Sequence, residues 1–350
     1  MDSKLLQSII NITEQHDADA LDLGLLTTLA DFIPVNELSI IKLIKENITD
    51  KVNEAVRLYI PANNPDNKNY TLDNETKTII ANSQIIESIQ TAAVIKQTLD
   101  GLEYLYIPLL IDNKVTGVLK IESYDDLSKW LSSIEGIVRI YCNYLAIFNE
   151  SERDKLTGLL NRKTFDYKLD RLLEKQRKQQ EKYRMANQQS ENRQAFTRSH
   201  AWLAMLDIDY FKRINDTFGH LFGDEVILLI SQKMKQFFRS SDLLFRFGGE
   251  EFVIILEPAP AEMAKKTLEC FRKTIADHPF PQVGTTTVSI GYARITKNDY
   301  HHVILERADK ALYYAKEHGR NCVYNFQELL ESGEANEKGK GGATIFFDEK

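Results

Sequence analysis

The sequence predicts two domains of mixed helix and strand: an α+β unit in the first half and an α+β or α/β unit in the second. Three observations carry this. The 350 residues suffice for two independent cores. Helical and strand-like spacings alternate along the whole chain rather than separating into blocks. A helical stretch with Ile134, Val138, Tyr141, Leu145 and Phe148 in steps of four and three is followed by a charged break at 149–155, which marks a boundary. The expected division is a first domain over 1–130, a helical linker over 131–155, a second domain over 156–326 and a flexible tail over 327–350.

In the first domain, residues 21–32 and 74–97 have helical apolar spacing, and 38–43, 55–60, 104–111 and 116–122 alternate as strands do. Asp112, Asn113 and Lys114 supply turn chemistry between the last two strands. The seam from Ile134 to Phe148 suits either a paired helix or a terminal helix packed on its own domain. In the second domain, 201–206 is a short apolar run typical of a buried strand, 224–238 and 261–276 are helical, and 243–247 with 252–256 form a strand pair. Strand spacing over 285–295 and helical spacing over 300–317 follow. A Gln- and Arg-rich stretch, 175–198, reads as a solvated helical extension or loop, with a basic docking surface as the alternative. The apolar patch at 343–347 is compatible with an added edge strand or a disordered end.

Composition narrows the function. The net charge of −7 gives no reason to expect nucleic acid as the main partner. Cys142, Cys270 and Cys322 show no pairing or metal spacing, which suits a reduced compartment. The first residues lack a signal-peptide pattern, and no run approaches the ~20 apolar residues of a membrane span, so a cytoplasmic protein is expected. The histidines, His301 and His302 included, form no zinc spacing.

Chemistry concentrates in the second half. Asp207 directly follows an apolar strand, where α/β sheets usually carry their sites, and Asp209 projects from the same face. Phe247-Gly-Gly-Glu-Glu-Phe252 places two glycines and two acids between two strands. The glycines permit a tight turn and close approach of phosphates, and the turn sets Glu250 and Glu251 at the sheet edge, facing Asp207. Hard oxygen ligands gathered there suit Mg²⁺, the counter-ion of a nucleoside triphosphate. An ordinary charged hairpin is the competing reading of that turn taken alone.

Six ordered motifs remove that ambiguity. They are Asp154-Lys-Leu-Thr-Gly-Leu-Leu-Asn-Arg162, Asp207-Ile-Asp-Tyr-Phe-Lys-Arg-Ile-Asn-Asp216, Gly219-His220 with Gly223-Asp224, Arg246-Phe-Gly-Gly-Glu-Glu-Phe252, Ser289-Ile-Gly291, and Ala308-Asp-Lys-Ala-Leu-Tyr313 continuing through Ala315-Lys316 to Gly319-Arg-Asn321. Over 154–323 the chain resembles the GGDEF family of diguanylate cyclases in its glutamate-bearing form. The 175–198 stretch is longer than the family's usual connection.

The resemblance implies a palm-like domain with a central, mostly antiparallel sheet flanked by helices. It implies that two GTP become cyclic di-GMP and two pyrophosphates, with Mg²⁺ or Mn²⁺, in a homodimer whose two sites face each other. By matching positions, Asp207, the Ile208 carbonyl, Glu250 and Glu251 would hold metal, and Glu250 would help activate the attacking hydroxyl. Asn215 and Asp224 would read the guanine edge, with His220 near that pocket. Phe211, Lys212, Gly248 and Gly249 would approach the phosphates, and Lys316 and Arg320 would neutralise them. Arg239 and Asp242 match the family's product-inhibition motif, so cyclic di-GMP is an expected regulatory ligand, with a surface ion pair as the alternative. Asp154, Arg162 and Asp309 are expected to hold the fold.

The first domain resembles a GAF domain, chiefly over the meander at 104–122, with a PAS-like domain as the alternative and no residue pattern that names its ligand. A domain that only binds cyclic di-GMP, as receptor or adaptor, is the competing function. Retention of Asp207, Glu250, Glu251, Lys316 and Arg320 favours the enzyme.

Overall fold

Asp17 opens the first helix by accepting hydrogen bonds from the amides of Asp19 and Ala20, which satisfies donors a helix start leaves unpaired. In the computed structural model, which describes residues 10, 17–44, 51–60, 70–73, 76–186, 200–296 and 299–335, the chain divides between Ser151 and Glu152 into two units.

The first unit is an antiparallel sheet with helices on both faces. After helix α1 (Ala18–Phe32) come β1 (Glu37–Leu43), β2 (Lys51–Tyr59), β3 (Thr71–Asp73), β4 (Lys77–Ile80), α2 (Ser83–Thr91), β5 (Ile95–Leu99), β6 (Leu102–Ile111), β7 (Lys114–Ser123) and α3 (Leu131–Ser151). The sheet runs β3-β2-β1-β7-β6-β5, with β4 also on β2. Alternation along each strand separates two apolar faces. Leu38, Ile40, Leu119 and Ile121 meet Leu25 and Leu29 of α1 and Ile134, Val138 and Tyr141 of α3. Ile41, Val52 and Val118 point the other way, onto Ile85 and Ile89 of α2.

The helix expected over 74–97 is instead β4, the short α2 and β5. Asn82 caps α2 by accepting from the Ile85 amide, and Ala92, with φ of 52°, ends it after nine helical residues. The flanking apolar residues pair across the sheet, Ile79 opposite Val52 and Ile95 opposite Tyr106. Asp112 and Asn113 both adopt positive φ, 50° and 61°, and make the expected turn. The seam of α3, Leu131–Ser151, is buried within the first unit, and residues 152–155 of the expected linker fall in the second. Tyr141 donates a 2.5 Å hydrogen bond to buried Asp22, which also pairs with Lys42.

The second unit comprises β8 (Leu160–Asn161), α4 (Phe165–Ala186), β9 (His200–Ile208), α5 (Phe211–Phe218), α6 (His220–Phe237), β10 (Leu243–Gly248), β11 (Glu251–Ala259), α7 (Ala261–Ala276), β12 (Pro279–Phe280), β13 (Gly284–Thr285), β14 (Val288–Arg294), α8 (His301–Glu317), β15 (Val323–Asn325) and α9 (Phe326–Glu331). Its sheet runs β15-β14-β9-β11-β10-β8, with β9 antiparallel to both neighbours and only the outer strands β15 and β8 joined in parallel. One face packs Ala204, Leu206 and Ile208 on α6 and α7; the other packs Leu203 and Met205 with Phe165 of α4 and Ala308 and Leu312 of α8. Three details differ from expectation. Helix α5 was not foreseen, the 285–295 stretch splits into β13 and β14, and residues 327–331 form α9, anchored by buried Phe326 and Leu329, rather than the start of a tail. Residues 187–199, with the second half of the Gln- and Arg-rich stretch, and 336–350, with the apolar patch at 343–347, lie outside the described residues.

Candidate active site

Strand β9 carries Asp207 to the end of the sheet, where register fixes its neighbours: Glu251 lies directly opposite on β11 and Ser289 on β14. The acids therefore meet at the ends of the two central strands, not at a sheet edge. Glu250 occupies the turn, with Gly249 at φ of 48°, a left-handed conformation that costs most side chains about 1 kcal/mol. A Cβ added at Gly248 or Gly249 would meet nothing within 4 Å, so the space above the turn is open to a ligand.

The turn is held by Arg246, whose Nε and Nη2 donate to the Gly249 carbonyl at 3.1 and 2.9 Å. Its Nη1 reaches both oxygens of Asp154, at 3.1 and 3.3 Å, and Thr157 donates its amide and hydroxyl to the same carboxylate. Burial alone would raise the Asp154 pKa, but the bonds from Thr157 and Arg246 outweigh it and hold the carboxyl below its usual value. The sequence reading gave Arg246 no role. Its cue was a cation two residues before the glycines, and its partner lies 92 positions away.

Charge at this strand end is unbalanced. Asp207 is 5% exposed, and its Oδ2 pairs with Lys316 Nζ of α8 at 2.8 Å. Burial nevertheless raises its pKa, with Lys316 partly offsetting the effect. Glu250 is raised by burial and by Asp207, and Glu251 by the same two causes to about 7. A divalent cation would relieve this crowding. Among the described residues no three acidic, histidine or cysteine side chains form a ready-made metal centre. The oxygen-only donor set fits a hard cation whose remaining ligands come from phosphate and water, as Mg²⁺ prefers. Ile208 is buried in the core, which limits its contribution to the main-chain carbonyl. Asp209 does not join the acids: its carboxylate is hydrogen-bonded to Thr287, Ser289 and Asn321.

After the acid-bearing strand β9, α5 packs against α6. Among the described residues Asn215 Oδ1 is buried without a hydrogen-bond partner, an acceptor left for a donor from elsewhere. A Cβ on Gly223 would stand 2.0 Å from that oxygen, so glycine there leaves room for the amide. Asp224 and His220 are exposed on α6 next to it, and Lys212 is exposed on α5. Phe211 is not at the phosphates with its ring, which is buried in the core, so only its main chain can serve there. Arg320 stacks over the Tyr210 ring, with its guanidinium carbon 4.6 Å from the centroid.

Arg239 and Asp242 lie at the start of β10, on the far side of that strand from the turn. Asp242 accepts from the main-chain amides of Arg239 at 3.0 Å and Glu257 at 3.1 Å, so it ties the two ends of the hairpin together. The Arg239 residue is exposed.

Residues 182–322 match the family model described as "Diguanylate cyclase, GGDEF domain". Diguanylate cyclase DgcP of Pseudomonas aeruginosa is 45% identical over 122 residues, 34% of this chain and 18% of that protein. Diguanylate cyclase DgcM of Escherichia coli is 34% identical over 173 residues, 49% of this chain and 38% of that protein. The chain thus spans well under half the length of these curated relatives. The crystal structure of the GGDEF domain of DgcB from Caulobacter crescentus, in complex with c-di-GMP, is 33% identical; the match covers 51% of this chain and 94% of that one, with a TM-score of 0.42. The similarity to the GGDEF domain of diguanylate cyclases thus falls in the second domain, over residues 182–322.

Proposed function

We propose that the chain is a diguanylate cyclase that condenses two GTP into cyclic di-GMP and two pyrophosphates. The observation that carries this is the pairing of Asp207 with Glu251 across the two central strands, with Glu250 in the adjoining turn and Lys316 on Asp207. Such a centre serves phosphoryl-type transfer, which depends on in-line placement and neutralised oxygens more than on a strong nucleophile. A divalent cation, Mg²⁺ or Mn²⁺, bound by Asp207, the Ile208 carbonyl, Glu250 and Glu251 would supply charge neutralisation and Lewis acidity.

In this reading Asn215 and Asp224 accept from the guanine edge beside His220, and the unpartnered Asn215 oxygen supports it. Gly248 and Gly249 leave the phosphates room, the main chain at Phe211 and the Lys212 ammonium face them, and Lys316 and Arg320 neutralise them. Glu250 helps deprotonate the 3′-hydroxyl. That oxygen bonds to the α-phosphorus of a GTP held by a second copy, and pyrophosphate departs. The two-fold symmetry of the product calls for a homodimer. Cyclic di-GMP would bind at the exposed Arg239, with Asp242 shaping that corner. The first domain would act as a GAF-like or PAS-like sensory regulator; its antiparallel sheet between helices suits either.

No helix among the described residues is long and apolar enough to cross a membrane. A cytoplasmic site follows from the reading, since GTP is held there. The test is incubation of the purified chain with GTP and Mg²⁺ and identification of the nucleotide product. Cyclic di-GMP from the native chain, and at least a hundredfold less from Glu250→Ala, is the expected result; no product from the native chain would refute the reading.

A further inference from the structure

Asp209 is 4% exposed and lies two residues beyond Asp207, yet its carboxylate serves a different purpose. Oδ1 accepts from Ser289 Oγ at 2.6 Å, and Oδ2 accepts from Thr287 Oγ1 at 2.6 Å and from the main-chain amide of Asn321 at 2.9 Å. Its own amide donates to the Thr287 carbonyl at 2.9 Å. The anchored segment is unusual. Gly319, Arg320 and Asn321 all have positive φ, 105°, 59° and 47°, a conformation that glycine and asparagine adopt readily but that is uncommon for arginine. Strained backbone persists only where its surroundings hold it.

Arg320 is held from a second side as well. Its guanidinium lies 4.6 Å from the ring centre of Tyr210, the residue after Asp209. Tyr210 is itself in the left-handed region, at φ of 58°, and is 61% exposed. An exposed aromatic in a strained conformation, covering an arginine, has no packing explanation.

We propose that Asp209 and Tyr210 are positioning residues for Arg320, the first by pinning the main chain beside it and the second by seating its guanidinium, so that the arginine is poised for the terminal phosphates of a nucleoside triphosphate. This rests on the reading of the site as GTP-binding. It makes residues 207–210 one short segment that presents a carboxylate at one end and fixes a phosphate clamp at the other. Asp209 acts through hydrogen bonds rather than as a metal ligand.

The test uses the full chain, with cyclic di-GMP formation measured against GTP concentration and binding of a non-hydrolysable GTP analogue measured by calorimetry. Tyr210→Ala, at an exposed position that does not threaten folding, raises KM and the analogue Kd about threefold with little change in kcat. Asp209→Ala raises both about tenfold. Asp209→Asn recovers most of the loss, because the amide oxygen still accepts from Asn321 and Thr287 while the Ser289 hydroxyl turns to accept from the amide NH2. In an Arg320→Ala background the Tyr210→Ala effect disappears. Overturning results are an undiminished Tyr210→Ala effect in that background, or an Asp209→Asn variant with normal analogue binding and no turnover, which marks a metal ligand. A native chain that neither binds the analogue nor makes product brings down the underlying reading as well, and that outcome is separately recognisable.

Discussion

Gly223 shows how much of the site turns on single residues. Its missing Cβ leaves the Asn215 amide its place, since an added methyl would lie 2.0 Å from Oδ1 and 3.1 Å from Phe211 Cζ. Gly223→Ala is therefore expected to raise KM for GTP roughly tenfold by turning the amide away, with a melting temperature close to native; initial rates at varied GTP and a thermal melt check both. Residue-level roles were unevenly legible. Asp207, Glu250 and Glu251 could be picked out because acids beside apolar strands and glycines have few structural uses. The spacing of two gave the face of Asp209 but not its partners, because beyond Ile208 the strand has ended and the carboxylate turns to Ser289, Thr287 and Asn321. For Phe211 a motif position does not distinguish a side chain from its main chain, and the ring is buried in the core. Arg246 and Asp154 form a contact that no local pattern encodes.

At the scale of elements, the central strands and long helices were readable from periodicity, and α7 falls on the expected residues 261–276. The region 74–97 was not, because apolar residues at β4, α2 and β5 sum to an apparently continuous helical spacing, and only the Asn82 cap and left-handed Ala92 interrupt it. The clearest element-level contact is α8 on β14. A Cβ on Gly291 would stand 1.9 Å from the Leu312 amide nitrogen and 2.4 Å from the Ala308 carbonyl oxygen. Strand and helix backbones thus touch, with no flexible side chain to yield. Gly291→Ala must separate them and is expected to cost about 3 kcal/mol, with loss of turnover because Lys316 retreats from Asp207. Denaturant unfolding and product formation test the two parts.

For the whole molecule, the separation of the cores at Ser151 and Glu152 predicts two unfolding transitions rather than one. Acid should distinguish them through Glu37 in the first domain. Burial would raise this carboxyl, but hydrogen bonds from Arg57 and Lys120 outweigh it and bring the pKa below its usual 4.5. The folded state thus binds fewer protons there than the unfolded chain, so the contribution is complete above 4.5 and fades as pH falls through the folded value. Glu37→Gln should lower the first transition by about 1 kcal/mol near neutrality, a figure reduced for the partial exposure of Arg57. It should also flatten that transition's acid limb and leave the second unchanged. Calorimetry from pH 3 to 7 measures this.

The absence of slack between α8 and β14 has a bearing on control. A scaffold whose backbones are already in contact cannot be tuned by small internal adjustments, because its lysine and its aspartate ride on parts that move as one. Under the proposed reaction, in which two GTP-loaded copies meet, a throttle would sit outside the single-chain site and govern how often two copies collide. The rate of product formation in dilute solution should then climb with the square of protein concentration.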